Sequence, residues 1–583
     1  MSARSERPVG RRKWLVVVAV VVILVVWLLI LADRAASAYR QDKRGLALLE
    51  QVKADLGPGD LTSSGSIVLL DQAHADFASA KSDLSSPLFA PVTIVPVVGR
   101  QLQSARALSA GAATVAATGS SFLAGVHNVL NQPHSAGLDR VTSLRSLARL
   151  SAASLSSLNR IDTGPSNALI SPLAAKRNEF VGQLDSAKQR LAKAAAVSGV
   201  VANILEGPQT YLLLAANNAE MRAGSGAFLN VGVATTTNGT LQLGNLGDSG
   251  DRPLAEGQVT ITGDLQRNWG WLNPSLDYRN LGLTPQFNVT AAVAAQMWTT
   301  QTGQPIDGVL AFDVAGLRQL LEATGPVQVG ALTVTADSVE QYLLHDQYVG
   351  LNGASVTAAA RDEQLGALAK AVLQQLQSQS TDLKSLASAV SGAVAGRHLM
   401  VWSQNSAAQA AWVTSGVSGT LTPQSLDLSL INLGGNKLDQ YVSIRNQVIT
   451  KASGSSTTVT MTSTLTNATP AGQPEYIAGP FPGNPAPYGS YIGLVAANLP
   501  ARATHISMTG PEPLAVNGAE GPTWLRVVPA TLNPGTTISV VTRFTLPGTY
   551  GSMTIVPSAR LPAEQWSFNG RTFDDSATTT VSW

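Results

Sequence analysis

Hydrophobic and polar positions follow three rhythms along this chain, after one stretch with no rhythm at all. That stretch is Trp14 to Ala32, WLVVVAVVVILVVWLLILA, preceded by Arg4, Arg7, Arg11, Arg12 and Lys13. As a helix it reaches about 28 Å, close to the ~30 Å hydrocarbon thickness of a bilayer. No other stretch approaches this length without a charge or a turn signal. The run is read as an uncleaved anchor. A cleaved signal peptide is the alternative, but its apolar region is normally shorter, and Asp33 and Arg34 intervene before the candidate site Ala36-Ser37-Ala38.

The first rhythm, from Ala35 to about Gly207, is helical. Leu49, Val52 and Leu56 lead to a stop at Gly57-Pro58-Gly59-Asp60. Val141, Leu144, Ala148, Ala152, Leu155 and Leu158 form a second stripe, and Leu173, Phe180, Leu184, Ala187, Leu191 and Ala194 a third, behind Ser171-Pro172. Pro87, Pro91, Pro96, Gly99 and Pro133 argue for packed antiparallel helices over one long coiled coil. The second rhythm begins at Gln209. Short apolar runs at Thr210–Ala216, Ala227–Thr235 and Gly239–Leu243 read as strands, with a hairpin turn at Thr237-Asn238-Gly239. Helices then alternate with strands: Thr290–Thr302, Gly308–Phe312, Val314–Thr324, a strand after Gly325-Pro326, and Arg361–Gln377. The third rhythm, from about Lys437, has period two. Val459, Met461, Ser463 and Leu465 alternate with threonines, as do Ile538, Val540, Thr542, Phe544 and Leu546 with polar or smaller residues.

The predicted fold class is therefore α+β and multidomain. A cytoplasmic tail (1–13) and a single transmembrane anchor (14–32) precede a helical membrane-proximal region (33–207). An α/β sandwich domain (208–436) and an immunoglobulin-like β-sandwich (437–583) follow.

Charge refines the location. Lys and Arg number five before the run and four just after it (Arg34, Arg40, Lys43, Arg44), so the positive-inside rule gives a narrow margin. The short tail and the long body, poor in charge at 13% against ~25% for soluble domains, turn the reading toward an extracytoplasmic body. There is no cysteine, hence no disulfide framework, thiolate zinc site or cysteine nucleophile. A net charge of +2 argues against a nucleic-acid surface as the main theme. The membrane bilayer is the partner that the sequence does call for.

Candidate chemistry is sparse. The six histidines, His74, His127, His134, His345, His398 and His505, lack metal-ligand spacing, and neither HExxH nor GxSxG occurs. Gly224-Ser225-Gly226 lacks the rest of a P-loop and reads as a tight turn. Asn217-Asn218-Ala219-Glu220-Met221-Arg222 reads as a polar loop after a buried strand, where ligand groups gather. Arg267-Asn268-Trp269-Gly270-Trp271, continuing to Asp277, Tyr278 and Arg279, is either a sugar-stacking surface or a core edge. Arg361-Asp362-Glu363 opens a helix, where acids suit the N-terminus.

Three stretches, 211–243 (YLLLAANNAEMRAGSGAFLNVGVATTTNGTLQL), 307–329 (DGVLAFDVAGLRQLLEATGPVQV) and 431–442 (INLGGNKLDQYV), resemble the bacterial envelope family of domains of unknown function numbered 4012. More remotely, the order of elements is similar to the LytR-CpsA-Psr family. Those proteins transfer glycopolymers from a polyprenyl pyrophosphate carrier, with arginines on the pyrophosphate and acids on magnesium. That likeness implies phosphate contacts at Arg222, Arg267 and Arg361, with Glu220 as a metal ligand; Asn218, an amide of the same polar loop, is a further candidate ligand group. The chain departs from that pattern. It has Gly224-Ser225-Gly226-Ala227 for Arg-Ser-Asp-Thr and Asn268 for an aspartate, and of the paired arginine-glutamine signature only Arg361 and Gln364 remain. Two readings follow. One is a non-catalytic envelope scaffold or binder without a cofactor. The other is a divergent glycopolymer phosphotransferase using magnesium. Acids converging beside Arg222 and Arg267, from among Glu220, Asp248, Asp251, Asp264 and Asp277, would favour the second.

Overall fold

The apolar run lies within one helix, Val9–Asp55, that continues well past it. The computed structural model describes residues 9–55, 64–131, 137–349, 358–377, 383–479 and 485–583. The predicted stop at Gly57–Asp60 lies outside them, as does His134. Two compact units emerge: Met1–Pro133 with Ser143–Gly199, and His134–Thr142 with Val200–Trp583.

In the first unit, helix Ser64–Leu84 runs antiparallel to Val9–Asp55, and helix Pro96–Leu130 runs parallel to it. Leu31, Leu84 and Leu102 share one apolar cluster, and Val52, Leu70 and Leu123 another. Small residues let the helices approach. Ala73, Ala112, Ala113 and Ala116 pack around Phe77, and a Cβ on Gly45 would meet the Phe77 ring. Helix Ser171–Glu206 turns inward the predicted stripe, with Leu184 buried and Phe180, Ala187 and Leu191 partly so. Helix Leu138–Asn159 differs. Its buried positions include Ser151 and Ser154, while Ala152 is exposed, because short serines pack as closely as alanine does. Two described helices are long and apolar enough to cross a membrane. One is the N-terminal helix; the other is Pro96–Leu130.

In the second unit, a sheet runs in the order Thr240–Leu243, Gly226–Thr237, Gln209–Met221, Gly308–Asp313, Leu399–Ser403. Gln209–Met221 pairs antiparallel with Gly226–Thr237 and parallel with Gly308–Asp313. It is buried on both faces, which explains its unbroken apolar start. Leu212 and Leu214 join Phe287, Ala291, Ala294 and Met297 of helix Phe287–Thr302. Leu213 and Ala215 face the other way, with Leu310, Phe312 and Ala369 of helix Ala358–Gln377. The predicted hairpin is present: Asn238 and Gly239 both have positive φ, 53° and 78°, as a two-residue type I′ turn needs.

The C-terminal sandwich has two six-stranded sheets, where an immunoglobulin fold has seven to nine strands in all. Strand Ser456–Asn467 buries every second residue, as its sequence rhythm predicts. Strand Ser425–Asn432 lies between Tyr491–Pro500 and Ser552–Ile555, so the sandwich begins before Lys437. All its residues are buried. Leu426, Leu428 and Leu430 fill the sandwich, while Ile431 points with Leu494, Ala496 and Leu525 into the cluster around Phe287. The α/β part and the sandwich therefore share a core and form one unit instead of two independent domains.

Candidate functional site

The segment read as a polar loop is mostly strand. Asn217 pairs with Ala227 and Met221 with Gly226, with irregular register between them. Only the turn Arg222–Ser225 reverses the chain, closed by the Arg222 N–H donating to the Ser225 carbonyl at 2.7 Å. A Cβ at Gly226 would run into the Asn217 carbonyl, so glycine there permits the close approach. Gly224-Ser225-Gly226 is thus the tight turn its sequence suggested.

The polar side chains at this strand end are held from several directions. Asn217 Nδ2 donates to the Tyr348 hydroxyl at 3.0 Å. Asn218, fully buried, donates to Asp313 Oδ2 at 2.8 Å and to the Ala559 carbonyl at 2.9 Å, and its Oδ1 accepts from Val314 N–H. Asp313 caps helix Val314–Thr324 by accepting from Gly316 N–H. Its Oδ2 also lies 2.8 Å from His398 Nδ1. Burial works against a charge on that imidazole, but the Asp313 carboxylate outweighs it and holds the pKa above the ordinary value.

Glu220 forms an ion pair with Lys437, whose side chain is buried and lies over the rings of Tyr348 and Tyr476. Burial alone would lower the lysine pKa; the Glu220 carboxylate and the two tyrosines raise it overall. The neighbouring Met221 N–H donates to Asp439 Oδ2 at 2.9 Å, which also takes Asn432 Nδ2. Asp439 Oδ1 receives Arg560 Nη1 at 2.7 Å. Arg222 donates Nε to the Arg279 carbonyl at 2.9 Å and Nη1 to the Met221 and Asn432 carbonyls at 3.0 and 2.9 Å. All three sequence stretches quoted above therefore meet here: the first supplies Asn217 to Arg222, the second Asp313, and the third Asn432, Lys437 and Asp439.

The other predicted site residues have different surroundings. Arg267 stands on the helix Gly263–Trp269, 64% exposed, paired with Asp264. Asp264 Oδ2 also accepts from Gly521 N–H. Trp269 is core, its Nε1 bonded to Glu520 at 2.6 Å, whereas Trp271 is 55% exposed. In that patch Trp269 belongs to the core, and the exposed Trp271 ring is tied back by its Nε1, which donates to the Asn268 carbonyl at 3.0 Å. Asp277 holds Arg279, and Asp248 accepts from Gly250 N–H. Arg361 lies in helix Ala358–Gln377, and its side chain is outside the described residues.

Among the described residues, no three histidine or acidic side chains are placed together to hold a metal. Of the residues that do converge, Asp313, Lys437 and Asp439 lie within the quoted stretches, and Asp313 also carries a local signal as an aspartate just before a helical run, whereas His398 and Arg560 lie outside all three.

A separate cleft of about 800 Å³ opens in the helical unit. His74, Lys81, Arg106 and Arg160 line it over a floor of Ala107, Ala110 and Gly111, against a single carboxylate, Asp162.

The family model described as Protein of unknown function (DUF4012) matches residues 206–348. That range takes in the first two of the three stretches and ends before the third. No curated protein and no solved structure matches the chain.

Proposed function

We propose that this chain is a single-pass protein of the bacterial cell envelope, with its N-terminus in the cytoplasm and its body outside. The body is a non-catalytic scaffold or binder. The observation that carries this reading is how the strand end Asn217–Arg222 uses its polar groups. Phosphoryl transfer needs cations and donors that meet charge on the substrate as it develops. Here Glu220 is committed to Lys437, Asn218 to Asp313, and the Arg222 Nε and Nη1 groups to backbone carbonyls.

Membrane anchorage draws support from the bare N-terminal helix, where Ile23 is 67% and Leu29 65% exposed. Helix Pro96–Leu130 owes much of its apolar character to alanine and glycine packed inside the helical unit, which favours one span over two. If the body binds a cell-wall glycopolymer or a polyprenyl pyrophosphate lipid, the basic cleft supplies the charge for it.

The test is to titrate the full chain, in lipid nanodiscs, with polyprenyl pyrophosphate in the presence and absence of magnesium. Arg222→Gln, Arg267→Ala and Arg361→Ala are expected to leave the affinity unchanged, and magnesium to have no effect. Tight magnesium-dependent binding that these variants abolish would overturn the reading in favour of a phosphotransferase. Arg267→Ala, on an exposed side chain, guards against loss of binding through misfolding. Binding that falls only with Arg106→Gln or Arg160→Gln would support a binder that uses the helical cleft.

A further inference from the structure

Between Leu84 and Arg100 the chain carries no charged residue: SSPLFAPVTIVPVVG. This corner joins helices Ser64–Leu84 and Pro96–Leu130 through a 3₁₀ turn at Pro87–Phe89 and a short helix at Ala90–Thr93. Its three prolines forbid a continuous helix. A corner exposed to water should be polar, yet Ile94 is 81% exposed, Val97 60%, Val95 49%, Val98 48% and Leu88 37%. An exposed apolar patch of this kind marks a site of contact.

The position of the corner says what it touches. Trp27, inside the anchor, donates its Nε1 to the Leu88 carbonyl at 3.1 Å. Phe89 is buried in one cluster with Leu31 of the anchor and with Leu84 and Leu102, and Trp27 and Val92 pack against it. Trp27 lies five residues before the end of the apolar run at Ala32, about 7.5 Å along a helix. Leu88 therefore sits beside a part of the anchor that is itself below the end of the hydrocarbon span. Basic side chains stand just beyond the corner. Arg34 pairs with Asp83, Arg106 Nε donates to the Leu84 carbonyl, and Lys81 and Arg100 flank the apolar stretch in sequence. Apolar tip, indole and basic collar follow the order of a bilayer from acyl chains to headgroups.

We infer that the corner Ser85–Gly99 inserts into the leaflet crossed by the outer end of the anchor, giving the helical unit a second hold on the membrane. Ile94, Val95, Val97 and Val98 enter the lipid, and Lys81 and Arg106 stand at headgroup level. The inference rests on the anchor reading, and the experiment separates the two.

The full chain has no cysteine, so V22C, S79C and V97C can each be labelled singly with an environment-sensitive fluorophore. Each labelled protein is reconstituted into phosphatidylcholine–phosphatidylglycerol vesicles, with or without a quencher on the lipid acyl chains. V22C and V97C are expected to emit to the blue of S79C and to be quenched several-fold. If V22C is quenched while V97C behaves like S79C, the corner faces water or a protein partner, and the inference fails while the anchor stands. If neither V22C nor V97C is quenched, the anchor reading fails and takes the inference with it.

Discussion

Arg560 and Asp439 form an ion pair at 2.7 Å in which neither side chain retains any exposure to water. Arg560 also donates to the carbonyls of Asp439 and Val442, and Asp439 accepts from the Met221 N–H. One pair thus ties the C-terminal segment to the end of strand Gln209–Met221. Desolvating two charges is costly, and the extra hydrogen bonds are what make the geometry tolerable.

Breaking that pair on one side should therefore hurt more than removing it. Asp439→Asn or Arg560→Met alone is expected to cost about 3–5 kcal/mol, because each leaves a buried charge without its partner. The double change Asp439→Leu with Arg560→Met should recover part of the loss. Chemical denaturation followed by tryptophan fluorescence reads all three. A loss in the double variant equal to the sum of the two single losses would show that the pair is not coupled.

The Asn218–Asp313–His398 cluster makes a second prediction. Asn218→Asp sets a new carboxylate beside Asp313 Oδ2, where an amide now donates at 2.8 Å. It should destabilise more than Asn218→Ala, and the excess should shrink on acidification as one carboxylate takes up a proton. An excess independent of pH would point to packing instead of charge.

Buried carboxyls set the pH response of the second unit. Burial pushes Asp427 up to about 7, partly offset by Arg397, and pushes Glu520 up to about 7, offset by bonds from Trp269 and Asn498. Both values lie above those of the unfolded chain, so the folded state binds these protons more tightly. Their contribution is most favourable below about pH 4, declines as pH rises toward 7 and is flat above it. His398, also raised, acts in the same direction: its stabilisation is lost as pH rises through its folded value. The melting temperature should therefore be higher at about pH 5.5 than at about pH 8, and Asp427→Asn should narrow the difference. An unchanged difference in that variant would remove Asp427 from the explanation.

Where residues announce local geometry, the fold was legible. Asn238-Gly239 specifies its turn, and the alternation of Val459, Met461, Ser463 and Leu465 specifies its strand. Gly239→Ala is expected to cost at least about 1 kcal/mol, because φ there is positive and a Cβ would run into the Gly137 carbonyl; a neutral result in the same denaturation assay would contradict the turn assignment. Strand Gln209–Met221 extends past its apolar run, because Asn217, Asn218 and Glu220, loop-like by residue type, find partners within the fold. Those partners are distant: Asn218 bonds Ala559, and Arg560 bonds Asp439 across 121 positions. Helices Ala336–Leu344, Leu383–Ala395 and Ser406–Ser415 and strand Leu399–Ser403 are not announced by the sequence pattern. These elements are short, and tertiary packing outweighs propensity in deciding them. Of the candidate site residues, Glu220 lies at the end of strand Gln209–Met221 and Arg222 in the turn that follows, but their partners come only from the fold.

The proposed topology, a single anchor with the body outside, is tested most directly by cysteine labelling in cells. Single cysteines S5C in the tail and S455C in the exposed turn between Val442–Ser453 and Ser456–Asn467 are introduced into the cysteine-free chain. A single anchor with the tail inside predicts that a membrane-impermeant maleimide labels S455C on intact cells and S5C only after lysis. Labelling of S5C alone on intact cells, or release of the body into the medium without residues 14–32, would contradict it.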